Sequence, residues 1–194
     1  MWGDRYAVLA SGSGSNLQAL LDSGITKPAV VIGDLECGAL ERARTASIPT
    51  ELVPFTGDRT VFTSAILELA RSHEVGILVL AGFMRILGPA APQVLPNRIV
   101  NIHPSLLPAF PGHDAVGQAL AAGVKVTGVT VHFVDEFVDH GPIIAQRAVP
   151  VLAEDSPESL HARIQREEHQ LYPRVVEALL EGRLVVNDRL VKWT

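Results

Sequence analysis

Short apolar runs alternate with longer amphipathic stretches along the first hundred residues. Tyr6–Ala10, Ala29–Asp34, Glu51–Val53, Gly76–Ala81 and Arg98–Ile102 are brief and apolar, the pattern of strands buried on both faces. Asn16–Asp22, Leu40–Ala46 and Arg59–Arg71 instead repeat their apolar residues at helical spacing, as Val61, Ala65 and Leu69 with Phe62 and Ile66 show. The alternation predicts an α/β fold whose N-terminal half is a Rossmann-like parallel sheet covered by helices on both faces.

Beyond residue 102 the pattern changes. Pro104, Pro108, Pro111 and Gly112 forbid regular structure until a short helix near Val116–Ala122. Lys125–Val134 and Pro142–Val149 read as neighbouring strands joined by an acidic loop, Asp135–Asp139. They would extend the sheet with antiparallel strands in the C-terminal half. Ser156, with Pro157 at the first helical position, opens a long helix to about Glu181, stopped by Gly182. Alternation around Asn187-Asp188 predicts a terminal hairpin over Arg183–Trp193.

The chain has 194 residues, 47% of them hydrophobic and 19% charged, which suits one domain over 1–194 with a single sizeable core. A formal net charge of −5 provides no basic field for nucleic acid or an anionic membrane. The longest apolar stretch, Val75 to Met84, is too short to span a bilayer, and no signal-peptide pattern opens the chain. The lone Cys37 fits a reducing, cytoplasmic setting.

Ser11-Gly12-Ser13-Gly14-Ser15-Asn16 follows the first strand and opens the first helix, where backbone N–H groups and the helix dipole favour an anion. A substrate phosphate is one reading. A dinucleotide is another, because Gly12-x-Gly14 resembles the start of G-x-G-x-x-G and Asp34 ends the second strand where a ribose-binding acid belongs. Leu17 stands at the third glycine position and weakens that reading; a plain tight turn is the third. Gly-x-Ser-x-Gly is absent, and Ser15 replaces a P-loop lysine, so serine hydrolases and P-loop NTPases drop out.

Asn101-Ile102-His103-Pro104 ends the fifth parallel strand, at the edge where open α/β sheets bind ligands. Strand alternation puts Asn101 and His103 on one face. An amide donor with an imidazole suits a reaction that develops charge on a carbonyl oxygen, although a histidine at a strand end is often structural. Asp139 could orient or charge-stabilise an imidazole; on spacing alone it equally reads as a solvated turn residue beside Asp135 and Glu136. His73, His103, His113, His132, His140, His161 and His169 include no metal-binding pair at helical spacing, and no metal is expected.

In order and spacing, these segments resemble the phosphoribosylglycinamide formyltransferase family from Val8 to Tyr172. The resemblance rests on Ser11-Gly12-x-Gly14-Ser15-Asn16, the run Leu80 to Leu87, the run Asn101 to Pro108, Gly128-x-Thr130-Val131-His132-Phe133 and Asp139-x-Gly141-Pro142-Ile143. It implies a formyltransferase fold and transfer of a formyl group from 10-formyltetrahydrofolate, the co-substrate, to the amine of phosphoribosylglycinamide. It also implies an N-terminal half (about 1–100) that binds the phosphoribosyl substrate and a C-terminal half (about 101–194) that is catalytic and folate-binding.

The resemblance places the phosphate on Gly12, Ser13, Gly14, Ser15 and Asn16, and Gln165 and Glu168 near the glycinamide end. It makes Asn101, His103 and Asp139 catalytic. Arg59, Met84, Arg85, Ile86 and Leu87, with Val138, His140 and Gly141, would contact folate. The expected partners are these small molecules, with no nucleic acid and no membrane, and the chain would act as a monomer or homodimer. Two departures stand out: His113 to Gly117 matches the family poorly, and His140 fills a position where small residues are common.

Three rivals remain. A formyltetrahydrofolate deformylase would use the same three residues on water and has no need of the Ser11–Asn16 loop. Methionyl-tRNA formyltransferase would need a further RNA-binding domain and a basic surface. A non-catalytic dinucleotide-binding module would leave Asn101, His103 and Asp139 without a task.

Overall fold

The computed structural model describes residues 2–194, which cluster into two compact units, one ending at Asn101 and the other covering Ile102–Thr194. The first contains β1 (Arg5–Ala10), α1 (Ser15–Asp22), β2 (Val30–Gly33), α2 (Gly38–Thr45), β3 (Thr50–Leu52), α3 (Arg59–Ser72), β4 (Val75–Leu80), α4 (Ala90–Val94) and most of β5 (Ile99–His103). Its strands are parallel and ordered β3-β2-β1-β4-β5, with Leu9 opposite both Ile32 and Leu80, and Leu80 opposite Asn101. Every residue of β2 and β4 is buried, as expected of strands sandwiched between helices.

The chain moves outward from β1 to β3 and returns to β4 on the other side of β1. The boundary between β1 and β4 is therefore the topological switch point, where the loops leaving two adjacent carboxyl ends diverge and leave a crevice. Those loops are Ser11–Gly14 and the segment after Leu80. α3 is capped by the Asp58 carboxylate, which accepts from the Thr60 and Val61 N–H groups at 2.8 and 3.0 Å. Its buried face includes Phe62, which stacks on Phe83 and meets Phe55 edge-on.

The second unit begins with the last two residues of β5 and continues through α5 (Ala115–Ala121), β6 (Val126–Phe133), β7 (Ile143–Pro150), α6 (Pro157–Leu180) and the hairpin β8 (Leu184–Asn187) and β9 (Leu190–Trp193). β6 and β7 pair antiparallel, Thr130 opposite Gln146. The register slips between Val131 and His132, where Ile144 is the extra residue on β7. α6 packs on β6, β7 and α5. Its start is a capping box between Ser156 and Ser159, followed by Pro157, and Gly182 after its end takes φ +69°. Asp155, just before that cap, is bridged by Arg163 at 2.6 Å; this pairing, with the Leu152 N–H, holds its carboxyl well below the usual range.

The α/β architecture, with parallel strands first and antiparallel strands later, matches the expectation drawn from the apolar pattern, as do the terminal hairpin and the long final helix. Only α4 was not foreseen: five residues around Pro92 carry no periodicity to read. Among the described residues, no helix is long and apolar enough to cross a membrane.

Candidate functional site

In the first unit the glycine loop is stitched to its surroundings through its carbonyl groups. Gly12 accepts from the Ala39 N–H at 3.1 Å and Ser13 from Arg42 Nε at 2.9 Å, while Ser11 N–H donates to Gly82 O at 3.1 Å. Arg42 Nη1 also reaches Gln18 Oε1 on α1. A trans peptide sets its N–H opposite its carbonyl, so the N–H groups of Ser13 and Gly14 point away from α2. Gly14 caps α1 at φ +76° and ψ +25°. Ser13 is exposed, Ser15 half-buried and Asn16 buried. Such a loop at a helix start, buttressed through its carbonyl groups, has the N–H geometry to receive an anion.

The Met84–Leu87 segment is fixed by partners far away in sequence. Ser11 Oγ accepts from the Met84 N–H at 2.9 Å. Arg59 donates through Nε at 2.9 Å and through Nη2 to the same Leu87 carbonyl, so its guanidinium supports the segment from below. Thr63 Oγ1 accepts from the Gly88 N–H at 2.7 Å. Met84 and Ile86 are exposed, while Leu87 is buried.

Arg85 turns to Asp34, with Nε 2.6 Å from Oδ2, and its guanidinium lies 5.0 Å from the centre of the Phe55 ring. Asp34 is thereby buried and ion-paired. It is unsuited to the ribose hydroxyl that a dinucleotide would offer.

In the second unit the focus is Asp139. Oδ2 accepts from the Gly112 N–H at 2.8 Å and lies 3.3 Å from His103 Nδ1; Oδ1 lies 3.5 Å from His132 Nε2. Both histidines are buried. Burial opposes ionisation of Asp139, but the His132 hydrogen bond, the Gly112 N–H and the charges of His103 and His132 outweigh it and hold the carboxyl below its ordinary value. His103 Nε2 meets the Phe110 carbonyl at 2.8 Å, and His132 Nδ1 meets the Phe133 carbonyl at 2.8 Å. Each ring therefore has an oxygen at both nitrogens, and Asp139 is gripped between two imidazoles.

The irregular loop after His103 is locked to β6. Thr130 Oγ1 donates to Ser105 O at 2.7 Å and accepts from the Leu107 N–H at 3.0 Å, and Gln146 Nε2 reaches both Leu107 O and Thr130 Oγ1 at 2.9 Å. The poorly matched His113–Gly117 stretch is built coherently. Asp114 caps α5 and accepts from the Gly117 N–H at 3.1 Å, and a Cβ on Gly117 would strike that carboxylate.

His103 and Asp139 are brought together, and Asn101 stands two residues before His103 on β5. Val138 is exposed in the acidic loop, and Gly141 has no room for a Cβ, which would lie 1.9 Å from Phe133 O. His140 pairs with Asp135 at 2.7 Å. Gln165 and Glu168 lie on one face of α6, with Glu168 buried; its charge, after burial itself, pushes the Tyr172 hydroxyl up. Among the described residues, no group of three or more His, Cys, Asp or Glu side chains is placed to hold a metal ion.

Sequence reasoning missed His132, weighed only as a metal ligand, and Arg42. The contact between His132 and Asp139 joins β6 to a loop seven residues on and leaves no mark in the sequence. Arg42 sits on a predicted helix as an ordinary surface cation.

Residues 4–176 match the family described as formyl transferase. A phosphoribosylglycinamide formyltransferase of Bacillus subtilis is 45% identical over 91% of this chain and 94% of its own. The crystal structure of glycinamide ribonucleotide transformylase 1 from Symbiobacterium toebii superposes with a TM-score of 0.94 at 48% identity, covering 97% of this chain and 93% of that one. A formyltetrahydrofolate deformylase from Pseudomonas syringae has the same fold, with a TM-score of 0.89 at 31% identity; the match covers 97% of this chain but 65% of the deformylase.

Proposed function

The chain belongs to the formyl transferase family, and from that premise we propose that it moves the formyl group of 10-formyltetrahydrofolate onto the amine of phosphoribosylglycinamide, a step of purine biosynthesis. The observation that carries the reading is the Asp139 carboxylate held between His103 and His132. The phosphate of the acceptor sits on Gly12 to Asn16, and the folate co-substrate contacts Met84 to Leu87 and Val138 to Gly141.

The acceptor amine attacks the formyl carbon, giving a tetrahedral intermediate. Its oxyanion takes hydrogen bonds from the Asn101 amide and the His103 imidazole. Asp139 keeps His103 oriented through Nδ1, so Nε2, now on the Phe110 carbonyl, is the nitrogen that turns to the reacting oxygen. A proton passes from the attacking nitrogen towards N10 of the folate with Asp139 as relay, the C–N10 bond breaks, and tetrahydrofolate leaves. Gln165 and Glu168 recognise the glycinamide end, a carboxylate beside a primary amine being a sound pairing.

The deformylase reading is favoured only by the shared fold; water as acceptor makes no use of an anion cradle. The dinucleotide reading loses its acid, because Asp34 is committed to Arg85. Lone Cys37 supports a cytoplasmic setting.

Fluorescence titration with 10-formyltetrahydrofolate and, separately, NADH tests the choice of ligand. Saturable folate binding with no response to NADH is expected. The reverse pattern would overturn the proposal.

A further inference from the structure

We propose that the terminal β8–β9 hairpin braces the Asp139 loop through Arg189, a positioning residue; this rests on the role given above to Asp139. Apart from Asp139, the side chains of the loop Asp135–Gly141 have little to hold them to the body of the unit. Phe137 and Val138 are 61% and 49% exposed, so apolar burial contributes little there. Asp139 adopts φ +51°, in the left-handed region that Asp enters more readily than most L residues.

Inside the loop, Asp135 accepts from the Phe137 N–H at 2.9 Å and pairs with His140 Nδ1 at 2.7 Å, and the Phe137 and His140 rings meet edge-on. These bonds shape the loop without tying it to the body of the unit. Asp139 itself is tied to the unit by the Gly112 N–H, His103 and His132; a second tie, on the residue after it, comes from the hairpin. Arg189 Nη2 donates to the backbone carbonyl of His140, the residue after Asp139, at 2.8 Å, and Nη1 stands 3.4 Å from His140 Nε2.

Arg189 follows Asp188, whose φ of +52° forms the hairpin turn. The far end of the hairpin is pinned by Trp193 Nε1 donating to Ile144 O at 3.2 Å, and Thr194 N–H donates to Arg183 O at 2.9 Å. The hairpin therefore spans from the start of β7 to the loop, fixing both ends of the segment that follows Asp139. The tautomer that serves both contacts has His140 Nδ1–H donating to Asp135 and Nε2 accepting from Arg189.

Formyl-transfer kinetics on Arg189→Ala, Arg189→Lys and Trp193→Phe, beside Asp139→Asn, test the brace. Arg189→Ala is expected to lower kcat by about ten- to a hundredfold, the cost of a misplaced catalytic group, with KM for phosphoribosylglycinamide unchanged. Amide exchange should quicken across residues 135–141. Arg189→Lys should regain most of kcat, because an ammonium can still donate to the His140 carbonyl, and Trp193→Phe should shift both readouts in the same direction as Arg189→Ala, but less.

Wild-type kcat and exchange in Arg189→Ala while Asp139→Asn is inactive would sink the brace and leave the site intact. Loss of thermal stability with no change in kcat, or with no rescue by lysine, would reduce the hairpin to a structural part and overturn the proposal. Wild-type turnover in Asp139→Asn would instead remove the role on which it rests.

Discussion

Asp139→Asn is expected to lower kcat for formyl transfer by about a hundred- to ten-thousandfold, the range spanned by a positioned acid–base group, with substrate affinities little changed. The asparagine keeps the volume and can still accept from the Gly112 N–H, so the loop should remain in place. What it removes is the charge facing His103 and His132 at 3.3 and 3.5 Å. Because the native carboxyl is held below its ordinary value, it stays ionised through the mildly acidic range. No fall in wild-type kcat/KM above about pH 4 should then trace to this group, and the variant should lie below wild type at every pH instead of being displaced along the axis.

Stability follows with a definite sign. A carboxyl whose pKa is lowered by folding favours the folded state above its unfolded value, near ~3.9, and that contribution is lost as the pH falls through the folded value. The variant's Tm should therefore vary less steeply at the acid end. Steady-state kinetics across pH with parallel thermal melts measure both effects. A kcat within a few-fold of wild type would leave Asp139 as a structural residue.

Gly14→Ala is expected to raise KM for phosphoribosylglycinamide by at least about tenfold, one strong phosphate hydrogen bond's worth, and to lower Tm. Gly14 sits at φ +76°, and a Cβ there would lie 2.6 Å from Ala39 Cα and 2.9 Å from Ala39 Cβ. Neither is the end of a flexible side chain, so the loop itself must move. It has nowhere to retreat, since Gly12 and Ser13 are tied to α2 through Ala39 and Arg42. The displaced N–H groups would miss the phosphate. An acceptor analogue lacking the phosphate serves as the control: both proteins should process it equally poorly. An unchanged KM for the phosphorylated acceptor would move the phosphate elsewhere.

What could be read from the sequence was what local pattern records. Continuous apolar runs such as Val75–Leu80 declare buried parallel strands, Ser156-Pro157 declares a helix start, and Asn187-Asp188 a hairpin turn. The place of the glycine loop between β1 and α1 was legible from glycine and serine standing between a strand and a helix. Side-chain partners across the fold were not. Asp34 looked available to a ribose until Arg85, 51 residues on, claimed it. Arg59 donates to the Leu87 carbonyl, 28 residues on, a bond with no sign in the sequence. His132 was one histidine among seven until the fold set its Nε2 3.5 Å from Asp139. Asp114 and Gly117 looked like divergence, yet they form a cap that suits each other.

Formyl transfer from 10-formyltetrahydrofolate, followed with and without phosphoribosylglycinamide and with formate assayed in the same reactions, tests the central claim most directly. The account predicts turnover that depends on the acceptor, one tetrahydrofolate released for each formylated product, and no formate above background. Formate released without acceptor, at a rate that phosphoribosylglycinamide leaves unchanged, would contradict it.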